Sequence, residues 1–437
     1  MSSTPLRIVD VVASTGLGAF FFDDQQAIKS GAVRDGNAYT GAPLTPGYTA
    51  IRETAEAASI MLILEDGYVA VGDCASVQYS GVGGREPRLH AAALAARIET
   101  RLAPALTGWD ITSFRSASVK AETVLASQDG LGRAAAYGLS QALLDAASHA
   151  AGHHIMGRVI KDEWQLPGPL TPVPLYAQTG EDRHAGVDTM VLKRVPVLPH
   201  GLINTADLVG HDGDALVEYI GYIRDRIAHL AGDPGYLPVI HLDVYGMVGA
   251  AAGGSIAATA DILGRLEDAA GPHQLRIEHP LDAGSRDAQI TALGALRSEL
   301  AARGSQVQII ADEWANTLQD IQAFADAQAA DLIQIKTPDL GAIHNIVAAV
   351  ATCHAASIGP VIGGTCAETD RSARATTHIG IATGVTQMLA KPGMGINEGL
   401  TIVTNEMNRA VRLDQRLMAH RAADNEDTQP QPAEMTP

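Results

Sequence analysis

Five short apolar runs between Val239 and Thr369 each end in a residue able to do chemistry. VIHLD ends on Asp243, LRIE on Glu278 and IIAD on Asp312, while LIQIK ends on Lys336 and PVIGGTC on Thr365 and Cys366. Taken singly, each carboxylate is better explained as a helix N-cap or an ion-pair partner. Taken together, three carboxylates converging on one place repel one another and raise their own pKa values unless a cation neutralises them. An all-oxygen donor set suits Mg²⁺, which keeps its other positions for water or substrate oxygen, with Mn²⁺ as the usual substitute. A lysine buried beside that charge has its pKa lowered and becomes a usable base. Gln334 stands two residues before Lys336 and shares its side of a strand, although alternation with Ile333 and Ile335 leaves open which pair faces inward.

The elements that would position these residues follow from their spacing. The polar tips at 243, 278, 312, 336 and 365 are 35, 34, 24 and 29 residues apart, and a strand–helix unit of a (β/α) barrel takes roughly 25–35. LYAQTGEDR and VPVLPHGLIN precede these five segments and ATGVTQMLA follows them, which makes eight strand candidates. In such a barrel the chemistry sits at the C-terminal ends of the strands. The first strand brings Gln178 and the second brings His200, across the barrel from the sixth strand and Lys336. With 15 histidines in the chain, a lone histidine is usually structural. The opposed placement singles His200 out, because it sets two proton-transfer groups on two faces of one substrate. Gln178, Thr365 and Cys366 are candidates for holding a substrate carboxylate.

Upstream, LRIVDVVAST has the character of a strand and ASIMLILEDGYVAVGDC that of a hairpin turned at Asp66-Gly67. The stretches Pro87–Thr107 and Gly132–Ile160 are Ala/Leu-rich and helical in pattern. This predicts an α+β domain over residues 1–165 and a barrel over 166–420, opening with the proline-rich LPGPLTPVP. Residues 421–437 lack apolar periodicity and are expected to form a disordered tail. An open doubly wound sheet would need a GxGxxG loop after an early strand, and neither GVGGREP nor PGMGINEG has that spacing.

At 437 residues, two domains are the natural expectation. A hydrophobic share of 46% and a mean hydropathy of +0.06 describe a globular chain. No segment has the length and apolarity of a membrane span, and no signal-like start is present, so a cytoplasmic location is expected. Lys and Arg number 31 against 49 Asp and Glu, a formal charge of −18, which repels nucleic acid and anionic membranes. An anionic substrate therefore needs a local cation. Cys74, Cys353 and Cys366 are too scattered for a disulfide framework or a zinc cage.

The motifs VQYSGVGGREP, QTGEDR, VLPHGLIN, HLDVYG, RIE, ADEW, QIKTPDLG, GGTCAET and LAKPGMG together resemble the methylaspartate ammonia-lyase (3-methylaspartase) family of the enolase superfamily, from Ile8 to Arg409. The resemblance implies an enolase-like α/β fold, in which an N-terminal α+β capping domain covers a modified TIM (β/α) barrel. It implies a Mg²⁺-dependent carbon–nitrogen lyase that reversibly eliminates ammonia from 3-methylaspartate to give mesaconate through an enediolate (aci-carboxylate) intermediate, in amino-acid (glutamate) catabolism or a related mesaconate pathway. K⁺ is the implied activator, a small dicarboxylate amino acid the partner, and a homodimer the assembly. Carried over by position, the metal ligands fall on Asp243, Glu278 and Asp312, the base on Lys336 and the opposite-face acid/base on His200. Substrate-binding positions fall on Gln178, Gln334, Thr365 and Cys366, with Gln78 from the capping domain and Leu389 lining the pocket. The chain departs from the family pattern at His279-Pro280, where Gly-Pro is expected, a change that could adjust the local loop or the pocket wall. The same site chemistry also allows a racemase or dehydratase acting on another carboxylate. A non-catalytic metal-binding protein is the remaining alternative.

Overall fold

A long strand, β1 (Leu6–Asp23), opens the chain and pairs antiparallel with β4 (Arg52–Leu64). Between them lies a small two-stranded ribbon, β2 (Val33–Asp35) and β3 (Ala38–Thr40). β5 (Val69–Cys74) returns from the turn at Asp66-Gly67, and β6 (Asp110–Ile111) completes a sheet ordered β5-β4-β1-β6. The computed structural model describes residues 6–393 and 396–427; Met394 and Gly395 of the LAKPGMG motif and residues 428–437 lie outside the described residues.

The apolar alternation of β4 turns Ala58, Ile60, Leu62 and Leu64 inward, and the helix Gly132–Ala150 covers them. Residues Ala135 to Ser148 of that helix are all buried, so it has no solvent face and works as the joint between the sheet and the rest of the molecule. Contact with β5 is close enough to exclude side chains. A Cβ on Gly72 would lie 2.0 Å from the Gly138 carbonyl oxygen, and one on Gly138 would lie 2.6 Å from the Cys74 sulfur. The helical stretch Gly132–Ile160 forms two helices, because Gly152 at φ +72° follows the end of the first before Met156–Glu163 begins.

Eight parallel strands then close into a barrel: β7 (Leu175–Tyr176), β8 (Val197–His200), β9 (Val239–Asp243), β10 (Leu275–Glu278), β11 (Gln308–Ala311), β12 (Leu332–Ile335), β13 (Gly359–Ile362) and β14 (Gln387–Leu389). Tyr176, Val197, Ile310, Leu332, Val361 and Leu389 pack together in its interior, so it is a filled core and not a pore. Ile333 and Ile335 belong instead to the shell beneath the helices, which settles the orientation of β12: Gln334 and Lys336 face inward. Register pairs Glu278 with Asp243 across β9 and β10.

The last helix runs from Ile396 to Asp427 and so continues into the first residues of the stretch 421–437. Buried Leu400, Val403, Met407, Ala410 and Val411 anchor its start, and extending an existing helix costs little. Arg421 also donates to Asp162 at 3.2 Å. Among the described residues, no helix is long and apolar enough to cross a membrane.

A prediction follows for the helical joint. In an open helix Gly→Ala stabilises by about 1 kcal/mol, but at Gly138 the new methyl has no room. Gly138→Ala is expected to lower stability by about 1–3 kcal/mol in denaturant unfolding; a gain would show that the packing argument is wrong.

Candidate active site

The barrel brings the polar strand ends to one place. Asp243, Glu278 and Asp312 each offer a carboxylate oxygen, all within 4.8 Å of one another, and each residue is 2% exposed or less. Burial, then the negative charge of Glu278, pushes Asp243 well above the usual carboxylate range. Burial and Glu313 do the same to Asp312. Burial acts on Glu278 as well, but the hydrogen bond from His241 and the cationic neighbours outweigh it, and its pKa falls. A cluster of hard oxygens this short of positive charge fits a divalent cation of the Mg²⁺ type.

Lys336 already supplies part of the missing charge. Its Nζ donates to both Asp312 oxygens, at 2.6 and 2.5 Å. Burial and Arg85 push the Lys336 pKa down, but Asp312, Glu313 and Glu278 more than offset them, and it is raised. His200 approaches from the opposite wall, with Nε2 3.7 Å from Asp243 and 3.9 Å from Glu278. Its Nδ1 lies 3.0 Å from the Gly201 carbonyl, which can only accept. The proton therefore sits on Nδ1 and a lone pair on Nε2 faces the site. Burial pulls the His200 pKa down to about 4, so the imidazole is neutral near pH 7.

The other expected residues border the same cavity: Gln78, Gln178, Gln334, Thr365, Cys366 and Leu389. The Gln178 side-chain oxygen has no hydrogen-bond partner among the described residues. Gln334 donates to both Glu278 oxygens at 3.0 Å. Gln78 crosses from the loop after β5: its backbone N–H donates to Thr365 Oγ1 at 3.0 Å and its amide oxygen accepts from Cys366 Sγ at 3.0 Å. Burial pushes the Cys366 thiol up to about 12, so it is a hydrogen-bond donor and not a thiolate nucleophile. Asp23 fixes the Gln78 amide at 2.7 Å and is itself clamped by Arg52.

Four non-glycine residues in the left-handed backbone region ring this site: His200 (φ +60°), Tyr245 (+50°), His279 (+50°) and Trp314 (+73°). Each stands at or just beyond a strand end, and such conformations cost about 1–3 kcal/mol apiece. His279 thus occupies a position where glycine is at ease. Its ring does not border the cavity; it is fully buried, with Nδ1 3.3 Å from Glu313.

Sequence reading missed three participants. Arg85, in GVGGREP, is buried with its Nε 2.8 Å from Asp339, and its other nitrogens lie 3.6 Å from Asp312 and 3.5 Å from Glu313. Glu313 was hidden by its neighbour Asp312. Tyr176, on β7, bonds Gln334 at 3.0 Å, and only the barrel's closure brings those two strands together.

Comparisons with known proteins bear directly on this arrangement. Residues 6–165 match the family model described as methylaspartate ammonia-lyase N-terminus, and residues 169–416 match that of its C-terminus. The chain belongs to the methylaspartate ammonia-lyase family. It is 46% identical over 409 residues to the methylaspartate ammonia-lyase of Clostridium tetanomorphum, covering 93% of this chain and 99% of the relative. Methylaspartate ammonia-lyase 1 of Carboxydothermus hydrogenoformans is 48% identical over 413 residues, 94% of this chain and 98% of the relative. Among solved structures, the Citrobacter amalonaticus family member containing (2S,3S)-3-methylaspartic acid superposes with a TM-score of 0.90 at 46% identity, over 94% of this chain and all of that one. The C. tetanomorphum enzyme, solved as a Mg complex, superposes with a TM-score of 0.87 at 46% identity, over 94% of this chain and 99% of that one. A dipeptide epimerase from Enterococcus faecalis, at 18% identity and a TM-score of 0.61, over 88% of this chain and 90% of that one, shares the fold alone.

The tautomer and burial of His200 generate a pH prediction. Unfolded imidazole takes up its proton near 6.5, the folded one only near 4. The unfolded state therefore binds more protons between those values, and stability falls as pH drops through that window. For metal-free protein this group contributes a loss of about 3 kcal/mol by pH 4. His200→Asn keeps a donor for the Gly201 carbonyl and should flatten that part of the stability curve. Parallel curves for variant and wild type would refute the assignment.

Proposed function

We propose that this chain catalyses the reversible elimination of ammonia from 3-methylaspartate to give mesaconate, with a divalent cation held by Asp243, Glu278 and Asp312. The observation that carries the reading is the juxtaposition of that carboxylate trio with Lys336 on one wall and His200 on the other, in a chain 46–48% identical to methylaspartate ammonia-lyases over 93–94% of its length. The proton to be removed lies beside a carboxylate and is barely acidic. A Mg²⁺ ion in the trio supplies fixed positive charge where that carboxylate takes up electron density.

The protein's own groups do the rest. With the carboxylates neutralised, burial and Arg85 remain as the influences on Lys336, and both favour the free amine. Lys336 then takes the C3 proton and the C3–H electron pair is delocalised into the adjacent carboxylate; that pair next forms the C2–C3 double bond as the C2–N bond breaks and ammonia leaves. His200, neutral with an open Nε2 lone pair, serves the diastereomer whose C3 hydrogen faces the other wall. Gln178, Thr365 and Cys366, with Gln78 across the gap, hold the second carboxylate. Gln334 steadies Glu278 and reaches the substrate, and Leu389 bounds the pocket. Mn²⁺ substitutes for Mg²⁺ and K⁺ activates. The working unit is a cytoplasmic homodimer whose protomers divide into capping (1–165) and barrel (166–420) domains.

Purified protein with Mg²⁺, K⁺ and (2S,3S)-3-methylaspartate is expected to generate the ultraviolet absorbance of an unsaturated dicarboxylate. No absorbance change from folded, Mg²⁺-binding protein would defeat the reading. Lys336→Ala should cut this elimination by a factor of about 10²–10⁴ while calorimetry still shows Mg²⁺ binding. Near-normal turnover of that variant would remove Lys336 as the base.

A further inference from the structure

His200, His241 and Glu278 form a second cluster whose possible ligand atoms also lie within 4.8 Å of one another. By donor type it resembles a nitrogen-rich site for a softer divalent metal. It shares Glu278 with the oxygen trio, so the role of His241 decides what Glu278 can do.

The hydrogen bonds under the site answer this. Arg276 is a donor only, and its NH1 lies 2.5 Å from the Gln387 side-chain oxygen. The Gln387 amide must therefore turn its oxygen to Arg276 and its NH₂ to His241, whose Nδ1 is 2.8 Å away. An Nδ1 that accepts carries no proton, so the neutral ring carries it on Nε2. That Nε2 lies 2.8 Å from Glu278 Oε2 and donates to it. Reversing Gln387 would set its NH₂ against a guanidinium and leave two buried donors facing each other, at a cost of about 1–3 kcal/mol or more. His241 and Gln387 are both fully buried, so water offers no substitute. His200, by contrast, holds its proton on Nδ1 against the Gly201 carbonyl. The two imidazoles nearest Glu278 are opposite tautomers.

We infer that His241 is not a metal ligand but a positioning residue, which holds Glu278 at the divalent-cation site in a tautomer imposed from the barrel floor by Arg276 through Gln387. The placement is systematic. His241 stands two residues before Asp243 and Arg276 two before Glu278, each on the ligand's side of its strand, and the two are register partners. They make a polar layer directly beneath the carboxylates. His241 and Gln334 take up the hydrogen-bonding directions on the lower side of Glu278, and its remaining lone pairs are left toward Asp243 and Asp312.

The inference rests on the metal assignment proposed above, but its first test does not need metal. In metal-free protein with ¹⁵N-labelled histidine, long-range ¹H–¹⁵N spectra should show His241 protonated on Nε2 and His200 on Nδ1, each assigned by its Asn or Gln variant. His241 protonated on Nδ1 would overturn the inference. Calorimetry gives the second test: His241→Leu should weaken Mg²⁺ binding about 10–100-fold, the usual penalty for losing such a partner. His241→Gln, whose amide reaches the place of Nε2, should restore most of it. Wild-type affinity in the Leu variant, or a Gln variant as weak as Leu, would also overturn it. Failure of the wild type to bind Mg²⁺ at all would instead sink the metal assignment, with the tautomer result standing.

Discussion

Everything at the barrel mouth is arranged around one electrostatic problem, the crowding of four buried carboxylates, Asp243, Glu278, Asp312 and Glu313, into a space shielded from water. Isolated ionised carboxylates cannot stay charged in such a place. The chain meets this with cations and hydrogen-bond donors drawn from different elements: Lys336 from the end of β12, Arg85 from the loop after β5 and the Nε2–H of His241. Burial raises Glu313, yet His279, Lys336 and Arg85 outweigh it and hold it low. Asp243 and Asp312 remain raised, and that residual deficit is what a divalent cation would relieve.

The same mouth is also where the N-terminal sheet is tied to the barrel, through Glu368. This fully buried carboxylate accepts from Lys391 at 2.6 Å, Tyr137 at 2.9 Å, Thr337 at 3.2 Å and the Thr365 backbone N–H at 3.2 Å. It thereby joins the strand end beyond Lys336, the loop carrying Thr365 and Cys366, the segment after β14 and the buried helix Gly132–Ala150. Packing there is tight: a Cβ on Gly364 would fall 2.1 Å from the Lys391 ammonium. The loop bearing Thr365 and Cys366 is thus held from below by Glu368 and from above by Gln78. Backbone strain at His200, Tyr245, His279 and Trp314 persists because this surrounding packing over-determines it.

Much of this was legible in the amino-acid order. The repeat of apolar run, polar tip and helix marks the eight strands because a strand end is where a parallel barrel releases its side chains from the core. Asp243, Glu278, Asp312, Lys336, His200 and Gln178 all stand at such ends. The hairpin at Asp66-Gly67 was equally plain, since a two-residue turn signal between alternating apolar runs is local. Local signals say less where a glycine or a distant partner decides: Gly152 separates two helices within one helical stretch, and packing upstream carries the last helix through Arg421 into the stretch 421–437.

By itself, then, the sequence determined which residues stand at strand ends and how they are spaced, because strand period and helix length are properties of neighbouring residues. Only the tertiary structure decided which side of β12 faces inward, which carboxylates crowd together, and that Arg85 and Gln78 reach the site from the loop after β5. Only it distinguished His200 from His241, two histidines that look alike in the chain. A tautomer is set by whichever donor or acceptor is brought to the far ring nitrogen. For His200 that group is the next residue's carbonyl; for His241 it is an amide 146 residues away. Contacts of that range exist only once the barrel has closed.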